Sequence, residues 1–177
     1  MSASEKLDQY GLIHNIGRGR RDFSGCVFTG EISLGRMRKL FDTPSIHGLV
    51  FDQCDLGPSF TIGNWINPAG HLSMRGAFGG EVRIVHTRLH AFQLEGLEAT
   101  TWFEMICPHG KQILLTRAKF PNGFKIHGKK NQRLGHLLDL IACESSRSFY
   151  EESTFDEVRT DNAQLGERLI KQTRNAA

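Results

Sequence analysis

In the segment His86-Thr87-Arg88-Leu89-His90 two histidines stand four residues apart, the spacing at which a helix places two zinc ligands on one face. Residues 81–94 read instead as a strand, where four residues span about 13 Å, too far for one metal. No third ligand is visible, and no metal is expected. Along a strand, residues 82, 84, 86, 88, 90, 92 and 94 share a face, which reads Val, Ile, His, Arg, His, Phe, Leu. Pairing with the following strands adds Ala99, Thr101, Phe103, Met105 and Cys107, then Ile113, Leu115 and Arg117. The combined surface is mostly apolar, the natural core face, and it holds His86, Arg88, His90 and Arg117. Buried guanidinium groups must be paired or meet an anion, so a concave lumen carrying this quartet implies an acidic small ligand or phosphate. The competing reading is a bulge within 81–94 that reverses the alternation, sends the polar group to solvent and explains Val85 and Leu89 on the other face.

Other chemistry has less support. Cys107 and His86 could meet across a hairpin as nucleophile and base, but a strand-borne cysteine more often serves as a small buried hydrophobe. There is no nucleophile elbow, no Gly-rich phosphate loop and no paired-carboxylate motif, so no catalytic residue and no cofactor is assigned. An enzyme reading requires a histidine base, a carboxylate such as Glu104 and a pocket to converge. Basic clusters occur at Arg18, Arg20 and Arg21, at Arg36, Arg38 and Lys39, and at Lys129, Lys130 and Arg133. Charge runs are commonly solvated faces. The first and last of these clusters nevertheless form the alternative site, for RNA or DNA, with steep salt dependence expected.

The elements that would position these groups are marked by turn formers. Gly57-Pro58, Asn67-Pro68-Ala69-Gly70, Gly79-Gly80, Glu95-Gly96, Pro108-His109-Gly110 and Pro121-Asn122-Gly123 recur at intervals of roughly nine to fourteen residues. They delimit seven candidate strands at 46–56, 59–66, 71–78, 81–94, 99–107, 111–120 and 123–128. Short connections between neighbours imply antiparallel pairing, and a meander of this length should close into a barrel or bent sheet. A further strand is expected over Phe23 to Ile32 and a short helix over Ser33 to Phe41. Leu134, Leu137, Leu138 and Ile141 form an apolar stripe that predicts a helix packed on the barrel near 131–143. A T-x-x-E box at Thr154 and Glu157 predicts a second helix near 154–172, with Asn162 on a seam through which two copies could dimerise. The chain then divides into a basic arm over 1–22, a mainly β domain with its packed helix over 23–143 and a helical extension over 144–177. The fragments LVFDQCDLG and FSGCVFTG are similar to single turns of leucine-rich or pentapeptide solenoids, but neither recurs at a fixed period, which argues against a solenoid.

The run His71-Leu72-Ser73-Met74-Arg75-Gly76 resembles the D/N-x-S-x-x-G strand of PilZ domains. The resemblance implies a β-barrel closed by a C-terminal helix, binding a cyclic dinucleotide through residues such as Ser73 and Arg75. Ser73 matches; His71 replaces the acidic or amide residue, and no R-x-x-x-R precedes the motif. Without paired arginines a phosphate would lose its bidentate contacts.

The 177 residues, 39% apolar and 23% charged, suffice for one domain and exclude disordered, collagenous and membrane-spanning classes. A net charge of +3 is compatible with an anionic partner but is far below that of a dedicated nucleic-acid binder. The N-terminus has neither signal nor transit character, and four scattered cysteines without a C-x-x-C pair fit reduced thiols. The expectation from sequence is therefore a cytoplasmic regulatory module that binds an anionic small molecule and no membrane.

Overall fold

A computed structural model describes residues 4–34, 49–64, 66–129, 132–150 and 154–168. After a short strand β1 (Lys6–Leu7), helix α1 (Gln9–Gly17) begins at Asp8, whose carboxylate accepts from the Gly11 N–H at 2.7 Å. This N-cap satisfies one of the donors a helix start leaves open. Leu12, Ile13 and Ile16 are the buried side of α1, next to β1 and to β3 of the sheet below. Strand β2 (Val27–Phe28) pairs in parallel with β1.

The remaining strands are β3 (Glu31–Ser33), β4 (Leu49–Asp52), β5 (Ser59–Gly63), β6 (Ile66–Phe78), β7 (Glu81–Val85), β8 (Arg88–Gln93), β9 (Leu97–Ala99), β10 (Trp102–Ile106), β11 (His109–Leu114), β12 (Lys119–Phe120), β13 (Phe124–His127), β14 (Gly135–Asp139), β15 (Glu144–Tyr150), β16 (Phe155–Arg159) and β17 (Gln164–Arg168). Every pairing among them is parallel. On a first face the order is β3, β5, β7, β10, β13 and the end of β15. On a second face it is β4, the body of β6, then β8, β11, β14 and β16. The end of β6, then β9, β12, the start of β15 and β17 make a third. Parallel neighbours one full turn apart, such as Glu31 with Ser59, Glu81 with Trp102 and Gly135 with Phe155, are the mark of a β-solenoid.

This overturns the antiparallel barrel. The turn-forming residues are real punctuation, but they turn corners of a coil instead of reversing the chain. Registered partners lie about 20 to 28 residues apart, a variable step that hides the repeat from a search for a fixed period. Asn67 to Gly70, read as a turn, lies inside β6, where the register against β8 shifts between Asn67 and His71.

The two expected helices are also absent. Residues 131–143 contain β14, with Leu134, Leu137, Leu138 and Leu140 buried. Two consecutive buried leucines, Leu137 and Leu138, imitate a helical stripe. Gly135 makes the coil possible, since a Cβ there would lie 2.5 Å from the Gly110 carbonyl oxygen of the coil below. Residues 154–168 form β16 and β17. Thr154 is buried, Glu157 pairs with Arg159, Asn162 occupies a left-handed corner at φ 56°, and the described residues form no helical seam for a homodimer. A Cβ on Gly166 would stand 2.0 Å from the Ser146 carbonyl oxygen, so this glycine serves close stacking. The short helix expected over Ser33 to Phe41 falls almost wholly outside the described residues.

There is no lumen. The interior is filled by inward side chains in registered columns: Phe60, Val82, Phe103 and Phe124 from the first face, Leu72, Phe92, Ile113 and Leu138 from the second. Phe103 stacks on Phe120 at 5.0 Å between centroids, and Phe120 lies 5.1 Å from Phe124. Aromatic pairs at this distance add about 0.5–1.5 kcal/mol beyond their burial. Among the described residues no helix is long and apolar enough to cross a membrane.

Candidate functional site

Two corners repeat from coil to coil. At one, Gly25, Gln53, Gly96, Arg117, Ala142 and Asn162 each have positive φ. The N–H of Gly96 donates to Thr116 O, that of Arg117 to Ile141 O and that of Ala142 to Asp161 O, so the corner is its own ladder. At the other corner the same conformation falls on Asn64 (φ 58°), His86 (φ 47°) and Cys107 (φ 48°). Their N–H groups donate to Val85 O, Ile106 O and His127 O of the next coil at 2.9, 2.8 and 2.7 Å. Non-glycine residues hold this conformation only where their surroundings enforce it. Here the ladder does so, and it sets His86 and Cys107 on adjacent rungs.

This corner divides residues 81–94 into β7 and β8 and breaks the alternation that a single strand would have. Val82 and Ile84 point inward before it, Leu89, Phe92 and Leu94 after it, and His86, Arg88 and His90 are exposed. His86 and Arg88 line a cleft of about 280 Å³ together with Ile66, Thr87, Cys107, His109, Lys129 and Gln132. Parallel register puts Ile66, Arg88 and His109 in one column of the second face. Thr87 is fully buried and donates to Val85 O at 3.0 Å, fixing the corner from within. His109 Nδ1 lies 3.3 Å from Arg133 O, so this nitrogen carries a hydrogen and Nε2 is left for other contacts. The Gln132 carboxamide accepts from the Lys129 N–H at 3.0 Å. Among the described residues no carboxylate lines the cleft. Neither Arg88 nor Lys129 has an ion-pair partner among the described residues.

His90 does not share the cleft. Its register places it beside Lys111, and Lys111 beside His136, in a second outward column that ends at Asp156. His136 Nδ1 is 2.6 Å from Asp156 Oδ2, and Arg133 also pairs with this carboxylate. The His136 hydrogen bond and the Arg133 charge hold Asp156 below the ordinary carboxylate range. Arg117 is exposed on the other corner, away from the remaining three. Ser73 is buried on β6 and donates to Asp52 at 3.1 Å, while the exposed Arg75 pairs with Glu95 at 3.4 Å.

The basic clusters divide. Arg20 pairs with Glu5 at 2.6 Å and lies 4.7 Å over the Phe23 ring, and Arg21 donates to Ile16 O, so both stitch the N-terminal cap together. Arg18 is the exposed C-cap of α1. Lys129 and Arg133 adjoin the cleft, and Lys130, Arg36, Arg38 and Lys39 lie outside the described residues. Glu104 sits on the first face instead, bound by Arg83 at 3.1 Å and His127 at 3.2 Å.

Sequence reasoning missed His109, Lys111 and His136 as neighbours of Arg88 and His90. The available signal was their spacing of one coil, visible only once the coil length is known. No family model, curated protein or solved structure matches this chain.

Proposed function

We propose that the protein is a binding module that receives a small anionic ligand in the corner cleft of the second face. The observation that carries this reading is a cleft lined by Arg88, Lys129, His86 and His109 with no carboxylate among its lining residues. Cations that share a cleft without an ion-pair partner favour an anion and repel a cation. The volume of about 280 Å³ suits a group the size of a phosphate or diphosphate. Isothermal titration with inorganic pyrophosphate tests it. Wild type should bind, and Arg88→Ala or Lys129→Ala should each weaken binding about tenfold, the worth of one charge-assisted contact. Equal binding by all three proteins, or none by wild type, removes the reading.

The column His90, Lys111 and His136 beside the cleft supports a second reading, a nucleic acid lying along the second face. A labelled single-stranded oligonucleotide separates the two. Backbone-dominated binding would fall steeply as salt is raised and would weaken in Lys111→Ala, which the small-anion reading leaves unaffected.

A further inference from the structure

The N-terminal cap meets the first full coil at a pair of cysteines. The bridge between Val27 and Asp55 is parallel, the Asp55 N–H donates to Cys26 O at 3.0 Å, and the Gly25 N–H donates to Asp52 O at 3.0 Å. Cys26 and Cys54 are therefore level on neighbouring coils. The same ladder recurs farther along, where the Glu144 N–H donates to Ala118 O and the Gln164 N–H to Cys143 O. Strands so paired lie about 4.8 Å apart, within the Cα separation of about 4.4–6.8 Å that a disulfide spans. Both cysteines directly follow a left-handed corner residue, Gly25 (φ 73°) or Gln53 (φ 55°), and both are buried, at 2% and 3% exposure. Their side chains thus enter the same corner of the core. Cys143 occupies the equivalent place with Ala118 and Ala163 as its neighbours, and Cys107 lies on the other corner, so only one pair of the four is in register.

The two sulfurs are not equivalent. Cys26 Sγ lies 3.3 Å from the Arg20 guanidinium, a cation that favours a thiolate, and 4.0 Å from the Glu5 carboxylate paired with it, which opposes one. Cys54 Sγ donates to Phe23 O at 3.0 Å and is held as a thiol.

We propose that Cys26 and Cys54 form an oxidation site at which a peroxide creates a disulfide joining the N-terminal cap to the solenoid. Cys26 attacks one peroxide oxygen as thiolate. The O–O bond breaks, a sulfenic acid forms, and the departing hydroxide takes a proton to become water. Cys54 sulfur then attacks the Cys26 sulfur, the S–O bond breaks, and hydroxide leaves with the Cys54 proton as a second water. Two thiols have lost two hydrogens, and one peroxide has become two waters. Burial pushes the Cys26 thiol up against the pull of Arg20, and Cys54 is pushed up to about 12, so the reaction is slow and leaves the pair reduced under mild conditions.

The test exposes the folded full chain to hydrogen peroxide, blocks remaining thiols with N-ethylmaleimide and maps peptides without reduction. The expected result is one cross-linked species joining the Cys26 and Cys54 peptides, reversed by dithiothreitol and lost in Cys26→Ala and in Cys54→Ala. Cys143→Ala retains it. Alanine already fills this column at Ala118 and Ala163, so these variants should fold; a circular dichroism melt checks each. Oxidised wild type should melt several degrees above the reduced protein, with no such gain in Cys54→Ala. A cross-link through Cys107 or Cys143, or sulfenic and sulfinic products on Cys26 without a cross-link, would overturn the proposal. So would unreacted Cys26 and Cys54 at peroxide levels that oxidise the methionines.

Discussion

The first and second faces of the solenoid carry ladders of charge built by the same stacking, yet one is closed and the other open. On the first face Glu104, only 14% exposed at its side chain, is surrounded by Arg83, His127 and Lys125 at 3.1, 3.2 and 3.9 Å. Lys125 also lies 5.4 Å over the Phe149 ring. On the second face Arg88, His109 and Lys129 line one cleft with no acid among the described residues there, and His90 and Lys111 stand in a row that reaches a carboxylate at Asp156. A ladder that alternates sign satisfies itself and strengthens the fold, whereas one that repeats sign costs stability and leaves its charge for a partner. The difference teaches that charge number says little here. What matters is which residue lies one coil away.

The largest effect should show that both faces share one interior. Phe103→Ala beneath the first face and Phe92→Ala beneath the second should each cost about 3–5 kcal/mol in urea unfolding. A much smaller loss on either side would mean that the faces rest on separate cores.

Next in size is alkaline unfolding. Burial pushes Cys54 and Cys143 up to about 12, above the ordinary thiol range. Above pH 9 the unfolded chain releases these protons and the folded chain retains them, so stability is full below that point and falls as pH rises toward 12. The slope should reach about 1.4 kcal/mol per pH unit for each thiol, and Cys143→Ala should flatten it.

The comparison itself is sharpened by charge removal. Glu104→Ala, which leaves Arg83 and Lys125 without the carboxylate between them, should lower stability by about 1–3 kcal/mol. By contrast, Lys111→Ala on the open ladder should fall within about 0.5 kcal/mol of wild type and is expected on the stabilising side. Denaturant midpoints measured in low and high salt decide the matter: salt should shrink the Lys111 difference and leave most of the Glu104 loss.

The smallest effect concerns Asp156. Its carboxyl is held low by His136 and Arg133, so its contribution is present at neutral pH and disappears only as pH falls below the ordinary carboxylate range. Asp156→Asn should therefore lower stability slightly at neutral pH and leave it unchanged at low pH, which removes a slight acid-side slope.

Gly96 and the Pro121 to Gly123 run do turn the chain, because their backbone needs are local, but at corners of a coil and not at the hairpins expected of them. Arg117 and Ala142 turn the chain in the same way although neither is a turn former, since the ladder of the neighbouring coil, not their own chemistry, enforces the conformation. The helix expected at 131–143 failed because Leu137 and Leu138 are both buried, a pattern that a corner produces as readily as a helical turn.

By itself, then, the sequence determined that the chain is rich in short strands and turns, with an apolar content able to fill a core and a modest excess of cations. Those are properties of single residues and near neighbours. Whether a turn reverses the chain or carries it around a coil depends on contacts some 20 residues away, and no local preference encodes that choice. The tertiary structure therefore decided that the strands stack in parallel and that His86 and Arg88 look outward beside His109 and Lys129. It decided equally that Cys26 and Cys54, 28 positions apart in the chain like Glu31 and Ser59, lie side by side.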